Sequence, residues 1–233
     1  MDSLPNPINW ETLKLACMIP WGLDMIWRKT WETYEELEKP AQCKLMFGTG
    51  RTPARRHEIG CEEALQWGAS HILILGGDQT YPDKQMIRKM FKWMEVSNLD
   101  EWMDRKKVIN CLVPIRGHRA GQGTRPFQPI GKKINPDTQE MENITREDKN
   151  PVKTEIIGTG VMLFEADILR GLKRPWFNDI EHKGTNEVNV MQDVNFIVKL
   201  NNSGSQVWTD NQIIVKHLVV LEADDSFSFR FEK

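Results

Sequence analysis

Three side chains in this sequence begin or end a periodic segment and are of types that could do chemistry: Asp78, Asp193 and His217. Asp78 belongs to HILILGGDQTYP (71–82), where an apolar run of strand length stops at two glycines and Pro82 follows four residues later. In open α/β sheets ligands bind beyond the carboxyl ends of the strands. Gly76 and Gly77 would let the backbone turn sharply there or pass close to a ligand. A carboxylate in that place either caps the following turn or binds a hard divalent cation. Mg²⁺ takes only one or two protein carboxylates together with phosphate oxygens. Asp193 opens MQDVNFIVKL, with Phe196, Ile197 and Leu200 at i+3, i+4 and i+7, so at the least it is an N-cap or first-turn acid favoured by the helix dipole. His217 ends IIVKHL, where a strand histidine taken by itself packs more often than it ligates.

The elements that must position these residues can be read from periodicity. LKLACMIP (13–20) is a first strand closed by Pro20, WRKTWETYEELEK (27–39) a helix ended by Pro40, and KLMF (44–47) a second strand followed by GTGRTP. ARRHEIGCEEALQWG (54–68) is a helix whose Gly60, Cys61, Ala64, Leu65 and Gly68 make a narrow face of mostly small residues, able to approach a sheet closely. After HILIL, Asp83 is a candidate N-cap for a helix with the stripe Met86, Ile87, Met90, Phe91 and Met94, where methionine serves as core filler. VINCLVPI (108–115) is a buried strand, 117–151 a long loop rich in Gly, Pro and Lys, and VKTEIIGTGVMLF (152–164) one or two strands bent at Gly158 and Gly160. ADILRGL is a short helix, 178–190 a polar loop, QDVNFIVKLNNSG a helix closed by Gly204, and QVW and IIVKHLVV are strands. Strand and helix alternate through the first half, which predicts an α/β fold with a mostly parallel central sheet flanked by helices.

Composition sets the frame. The 233 residues suit one domain and bury enough surface to need no disulfide or structural metal. Four cysteines without C-x-x-C spacing read as buried free thiols, Cys17 and Cys111 in apolar strand-like runs and Cys61 on a helix face, with Cys43 the fourth. The polar N-terminus resembles no signal peptide, and no apolar stretch approaches bilayer length, so a cytoplasmic setting is expected. Nine tryptophans are many, and Trp21, Trp27, Trp31, Trp102 and Trp176 stand beside Pro or charged residues, in core packing or along a ligand surface. The net charge of −2 conceals a segregation: residues 105–133 hold eight Lys/Arg and no acid, leaving about −10 elsewhere. That stretch is either a solvated basic loop or a cradle for phosphates or a polyanion.

Taken in order, LGGDQTYP, IGTGVMLF…KRPWF, MQDVNF and IIVKHL resemble the glycosyltransferases of the GT-A fold, close to the family-two group with its short bacterial and phage members. The resemblance spans roughly residues 13–220. It implies a GT-A-like (Rossmann-like) single domain over 1–233, with a nucleotide-binding half at about 13–116 and an acceptor and catalytic half at about 152–220. The long basic loop 117–151 lies between them on the acceptor side, and a tail (221–233) follows. It also implies a nucleotide-diphosphate sugar as donor, a UDP-sugar first, with Mn²⁺ or Mg²⁺ as cofactor and a hydroxyl acceptor. Carried over residue by residue, Asp78 matches the second aspartate of Asp-x-Asp, the metal ligand, and Gly76 stands where the first is usual. Asp193 matches the general base, with Gln192 and Asn195 in place of acids, and His217 matches the histidine that completes the metal site. Pro20, Trp21 and Asp24 fall where the family binds the nucleotide, Arg51 and Arg56 near the diphosphate, and Gly77 beside Asp78. An inverting hexosyl- or pentosyltransferase follows from the analogy.

Two other readings of the same residues stand beside this one. The basic stretch 105–133 could hold DNA, making the acceptor a modified base of phage DNA that is flipped out of the duplex. Or the missing carboxylates at Gly76, Gln192 and Asn195 could mark a non-catalytic sugar- or nucleotide-binding remnant. A nucleotidyltransferase is disfavoured, because no Gly-rich, Lys-bearing phosphate loop lies near the first strand.

Overall fold

The apolar runs found in the sequence become a central sheet whose two faces are both covered. The computed structural model describes residues 8–20, 28–95, 106–114, 131–181 and 188–218. Its strands are β1 (Lys14–Pro20), β2 (Gln42–Gly48), β3 (His71–Leu75), β4 (Gln79–Thr80), β5 (Val108–Cys111), β6 (Gly131–Ile134), β7 (Met141–Asn143), β8 (Val152–Thr154), β9 (Ile156–Ile157), β10 (Val161–Glu165), β11 (Ile180–Glu181), β12 (Val188–Val190), β13 (Val207–Asp210) and β14 (Lys216–His217). The helices are α1 (Arg28–Glu35), α2 (Pro53–Trp67), α3 (Met86–Lys92), α4 (Asp167–Gly171) and α5 (Gln192–Asn202).

Among the described residues the main sheet has the order β2-β1-β3-β10-β5-β13-β8. Strands β2, β1, β3, β5 and β13 run one way, while β10 and β8 run against them. The sheet is thus mostly parallel and helix-flanked, as the alternation predicts. Alternation along each strand divides the core in two. Ala16, Met18, Ile72, Ile74, Met162 and Phe164 pack with residues of α2, α4 and α5 on one face. Cys17, Ile19, Leu73, Leu75, Val161 and Leu163 pack with Tyr34 of α1 and the α3 stripe on the other. The methionines Met86, Met90 and Met94 are core filler, as expected. Cys17, Cys61 and Cys111 are buried and Cys43 is half-buried, all as free thiols. Trp176 is buried in the core and its indole donates to the Leu169 carbonyl, whereas Trp31 is exposed; Trp21, Trp27 and Trp102 lie outside the described residues. None of the described helices is long and apolar enough to cross a membrane.

Two loops of the sequence reading contain strands. Within 117–151, β6 and β7 form a hairpin and β6 also pairs with β9. Its turn is closed by Asn135, whose side chain accepts from the backbone of Asp137 and Thr138. Lys133 is half-buried and pairs with Asp148 and Glu142. Within 178–190, β11 and β12 pair. These strands are two to four residues long, too short for any alternation to announce them. The stretch 152–164, read as one or two strands, contains three: β8, β9 and β10. The remainder of the basic stretch, 115–130, lies outside the described residues, as does the tail.

The small face of α2 does what its composition implies. Thr52 caps the helix by accepting from Arg55 N, and Gly68 ends it in the left-handed region at φ 78°. A Cβ on Gly60 would stand 2.4 Å from Met18 Cγ, and one on Gly48 only 2.0 Å from the Arg56 carbonyl oxygen. Backbone cannot yield as a flexible side chain can. Gly48→Ala should therefore cost about 3 kcal/mol and lower the thermal midpoint by ~6–12 °C in circular dichroism. Gly171→Ala, where nothing lies within 4 Å of the added carbon, should stay within about 0.5 kcal/mol of the parent.

Candidate active site

Where β3 ends, the chain is fastened on both sides. Gly76 N donates to the Gly160 carbonyl at 2.8 Å, and the buried Tyr81 hydroxyl donates to the Gly76 carbonyl at 2.7 Å. After Gly77 and Asp78 the chain forms β4, which pairs antiparallel with β14 so that His217 lies opposite Gln79. Leu218 N extends this pairing to the Asp78 carbonyl at 2.8 Å. The consequence is that His217 Nε2 stands 3.5 Å from Asp78 Oδ1, although the two are far apart in sequence.

The tautomer of His217 follows from its other contact. Nδ1 lies 2.5 Å from the Pro114 carbonyl oxygen, which can only accept, so Nδ1 carries the proton. In the neutral ring Nε2 would then turn a lone pair toward a carboxylate. Two acceptors facing each other call for positive charge between them, either a proton on Nε2 or a cation. A histidine oriented by a carbonyl through its second nitrogen is also how metal-ligating imidazoles are held. Among the described residues no group of three His, Cys, Asp or Glu is placed to hold a metal ion. Asp78 and His217 thus offer two protein donors, and a divalent cation there would need its remaining ligands from a bound phosphate and water.

Across from this pair lies the segment Gly158-Thr159-Gly160 between β9 and β10. Asn110, buried in β5, donates from Nδ2 to the Gly158 carbonyl at 2.9 Å. A Cβ on Gly158 would meet Asp193 Oδ2 at 3.2 Å, so the glycine leaves the carboxylate its place. Asp193 stands in the first turn of α5, and its Oδ1 accepts from Val194 N at 2.8 Å. Burial pushes its pKa above the ordinary carboxylate value, the nearby Asp179 charge adds to this, and backbone N–H groups including that of Thr159 oppose it. Asp179 accepts the Gln192 N–H at 2.9 Å and so caps α5 from outside the helix. Behind Thr159, His57 Nδ1 donates to the Pro53 carbonyl, leaving Nε2 to accept from the Thr159 hydroxyl at 3.4 Å. Burial lowers the His57 pKa to about 4, so this imidazole is neutral and serves to hold Thr159.

These pieces enclose a cavity of about 220 Å³ lined by Pro20, Gly76, Gln79, Asp193 and His217 among others. It lies beyond the carboxyl ends of β1, β3 and β5, at the start of the antiparallel β10. Of the residues singled out in the sequence, Pro20, Asp193 and His217 line it directly, and Asp78 meets it through His217. Gly77, Arg51 and Arg56 do not line it. Arg56 instead donates to the Gly50 carbonyl at 2.9 Å and toward that of Arg51, tying the turn between β2 and α2. Trp21 and Asp24 lie outside the described residues.

No protein-family model matches the chain, and no curated protein matches its sequence. The fold is similar to that of solved structures at low identity. A protein from STIV has a TM-score of 0.49 at 10% identity, covering 95% of this chain and 100% of that one. S. aureus TarS has a TM-score of 0.49 at 8% identity, covering 89% of this chain. S. aureus TarS in complex with UDP-GlcNAc has a TM-score of 0.45 at 10% identity, covering 94%. The chain spans 37% and 62% of these two TarS chains, less than two thirds of either.

Sequence reading missed the residue that braces the wall behind the cavity. Glu58 of α2 is 4% exposed; its Oε1 accepts from the buried Phe177 N at 2.6 Å and its Oε2 from Arg174 at 3.1 Å. Phe177 in turn stacks on His57, with ring centroids 4.7 Å apart. The available signal was its position three residues before Cys61, on the face of α2 that faces the sheet. Glu58→Ala should leave the Phe177 N–H buried and unpaired, at a cost of ~2–4 kcal/mol read from the urea midpoint. Glu58→Gln keeps an acceptor for that N–H and should cost about half as much.

Proposed function

We propose that the chain is a glycosyltransferase of the GT-A type, moving a sugar from a nucleotide-diphosphate sugar, a UDP-sugar first, to an acceptor hydroxyl. The observation that carries this reading is the convergence of Asp193 and the Asp78–His217 pair on one cavity at the carboxyl ends of parallel strands. Glycosyl transfer needs these two functions: neutralisation of the departing diphosphate and a base for the attacking hydroxyl. A divalent cation held by Asp78 and His217 would stabilise the negative charge that develops on the leaving diphosphate. Pro114 fixes the imidazole for that role through its carbonyl.

Asp193 takes the proton of the acceptor hydroxyl as its oxygen bonds to the anomeric carbon and the bond to the diphosphate oxygen breaks. Its buried position raises its affinity for that proton over an ordinary aspartate. One base and one displacement give inversion at the anomeric carbon. Pro20 lines the nucleotide end of the cavity, with Trp21, Asp24, Gly77, Arg51 and Arg56 as further contacts to the nucleotide and diphosphate in this reading.

Thermal unfolding with UDP, GDP and dTDP and their sugars, with and without Mn²⁺, tests the reading. One nucleotide family at about one hundred times its dissociation constant should add ~2.7 kcal/mol, a rise of roughly 5–10 °C at this chain length. The rise should need Mn²⁺ and should vanish in Asp78→Ala. No rise with any nucleotide would overturn it.

Asp193 yields a second test in which activity and stability move in opposite directions. Asp193→Asn should lower kcat by about 10²–10⁴ while retaining nucleotide affinity. The parent's kcat/KM should fall with acid through a pKa above the usual carboxylate range of about 4. Because the folded pKa is raised, the folded state binds this proton more readily than the unfolded chain, so the ionised group costs stability at neutral pH and that cost fades as pH falls. Asp193→Asn should thus unfold at a higher temperature than the parent at pH 8, with the gap closing toward pH 4. Equal turnover by the two proteins would leave Asp193 without a role as base.

A further inference from the structure

Gln79 lines the cavity and neither the sequence reading nor the mechanism above gives it a task. It is 3% exposed, and its carboxamide lies across two glycines. A Cβ on Gly76 would stand 2.5 Å from both Cδ and Nε2 of Gln79, and one on Gly160 2.5 Å from Nε2. Any side chain at either place would evict the amide from its seat. Among the described residues, Gln79 Oε1 is buried without a hydrogen-bond partner. A carboxamide oxygen can only accept, so what completes it is a donor.

The surroundings tell which part of a ligand comes here. Gln79 follows Asp78 in the chain and lies opposite His217 in the β4–β14 pair. Its amide rests on Gly160, while the Asp193 carboxylate rests on Gly158, two residues earlier in the same segment. It therefore sits between the groups assigned to the diphosphate and the group assigned to the acceptor proton. Phosphate oxygens are acceptors and offer nothing to Oε1. The transferred sugar, which lies between those two ends of the reaction, offers hydroxyl donors.

Resting on the glycosyltransferase reading, we propose that Gln79 reads the transferred sugar: its Oε1 accepts a hydrogen bond from a sugar hydroxyl, and Gly76 and Gly160 hold the amide in place for it. The residue then sets donor specificity without handling the leaving group.

Titration calorimetry of the full chain with Mn²⁺ tests this, using UDP, GDP and dTDP and their common sugar conjugates. For the conjugate that binds tightest, Gln79→Met, which keeps shape and removes the acceptor, should weaken binding about tenfold. The parent nucleoside diphosphate should bind both proteins within about twofold. On the wild-type protein, one monodeoxy form of that conjugate should lose about the same factor and lose nothing further on Gln79→Met, as paired deletions of one contact require. Equal weakening of diphosphate and conjugate would place Gln79 at the nucleotide and overturn the inference. So would unchanged binding of both, or the absence of any deoxy form with a non-additive loss. If the wild-type protein binds none of the nucleotides or conjugates, it is the glycosyltransferase reading that falls, and this inference with it.

Discussion

Where β3 leaves the central sheet, the backbone of residues 76–80 loses its ladder partners, and a buried N–H or C=O left without a partner costs about 1–3 kcal/mol. The chain meets this demand with the Gly76–Gly160 hydrogen bond, the Tyr81 hydroxyl on the Gly76 carbonyl, and the two-residue pairing of β4 with β14. Each of these links also has a chemical consequence. The first joins the end of β3 to the Gly-Thr-Gly segment against which Asp193 rests. The last carries His217 from a distant part of the sequence to Asp78. The pairing that satisfies the backbone is therefore what assembles the side chains, and a slip of one residue in β14 would turn His217 away from Asp78.

A site built this way keeps polar groups out of water at some cost to the fold. The Asp193 carboxyl is buried enough to resist ionisation, His57 is buried enough to stay neutral, and Gln79 and Asn110 each bury an oxygen without a partner among the described residues. Cores of this size lose stability through such groups, and the rest of the protein compensates with close packing. Gly60 on Met18, the capped α2, and the Phe177–Phe196 contact at 4.2 Å between centroids support the wall behind the cavity. Under the proposed reading stability and activity pull against each other most directly at Asp193, whose burial is unfavourable for the charge and would favour proton transfer.

Much of the frame was legible in the sequence, because apolar period and punctuation are local signals. The run HILIL, the small face of α2 and the stripe of α3 specify strand, close helix and core helix without reference to partners. The thin ribbons β6–β7 and β11–β12 were not legible: their strands are two to four residues long and are defined by pairing, which local periodicity does not report. Asp78, Asp193 and His217 could be singled out because each ends or begins a periodic segment. That Asp78 and His217 meet could not be read from residue spacing, since β14 pairs with β4 across most of the chain. Glu58 and Gln79 were missed for a related reason. Their roles lie in one buried hydrogen bond and one pair of glycines, which are contacts made by the tertiary fold.

The departures from the acidic pattern at 76, 192 and 195 gain a physical account from these contacts. A side chain at Gly76 would occupy the seat of the Gln79 amide, so the carboxylate usual there and the glutamine three residues later exclude one another. Asn195 donates from Nδ2 to the Asn178 carbonyl at 2.8 Å, which an ionised aspartate could not do. Gln192 gives its backbone N–H to Asp179, so a residue outside the helix adds to the negative charge that Asp193 places at the start of α5. Under the proposed reading, each replacement removes a carboxylate from the surroundings of the cavity. Fewer like charges lessen the repulsion that a polyanionic leaving group would meet, and the positive charge that Asp78 and His217 call for between them then has less to offset. Under the proposed glycosyltransferase reading, loss of acidic residues at these positions is a redistribution of charge within the site.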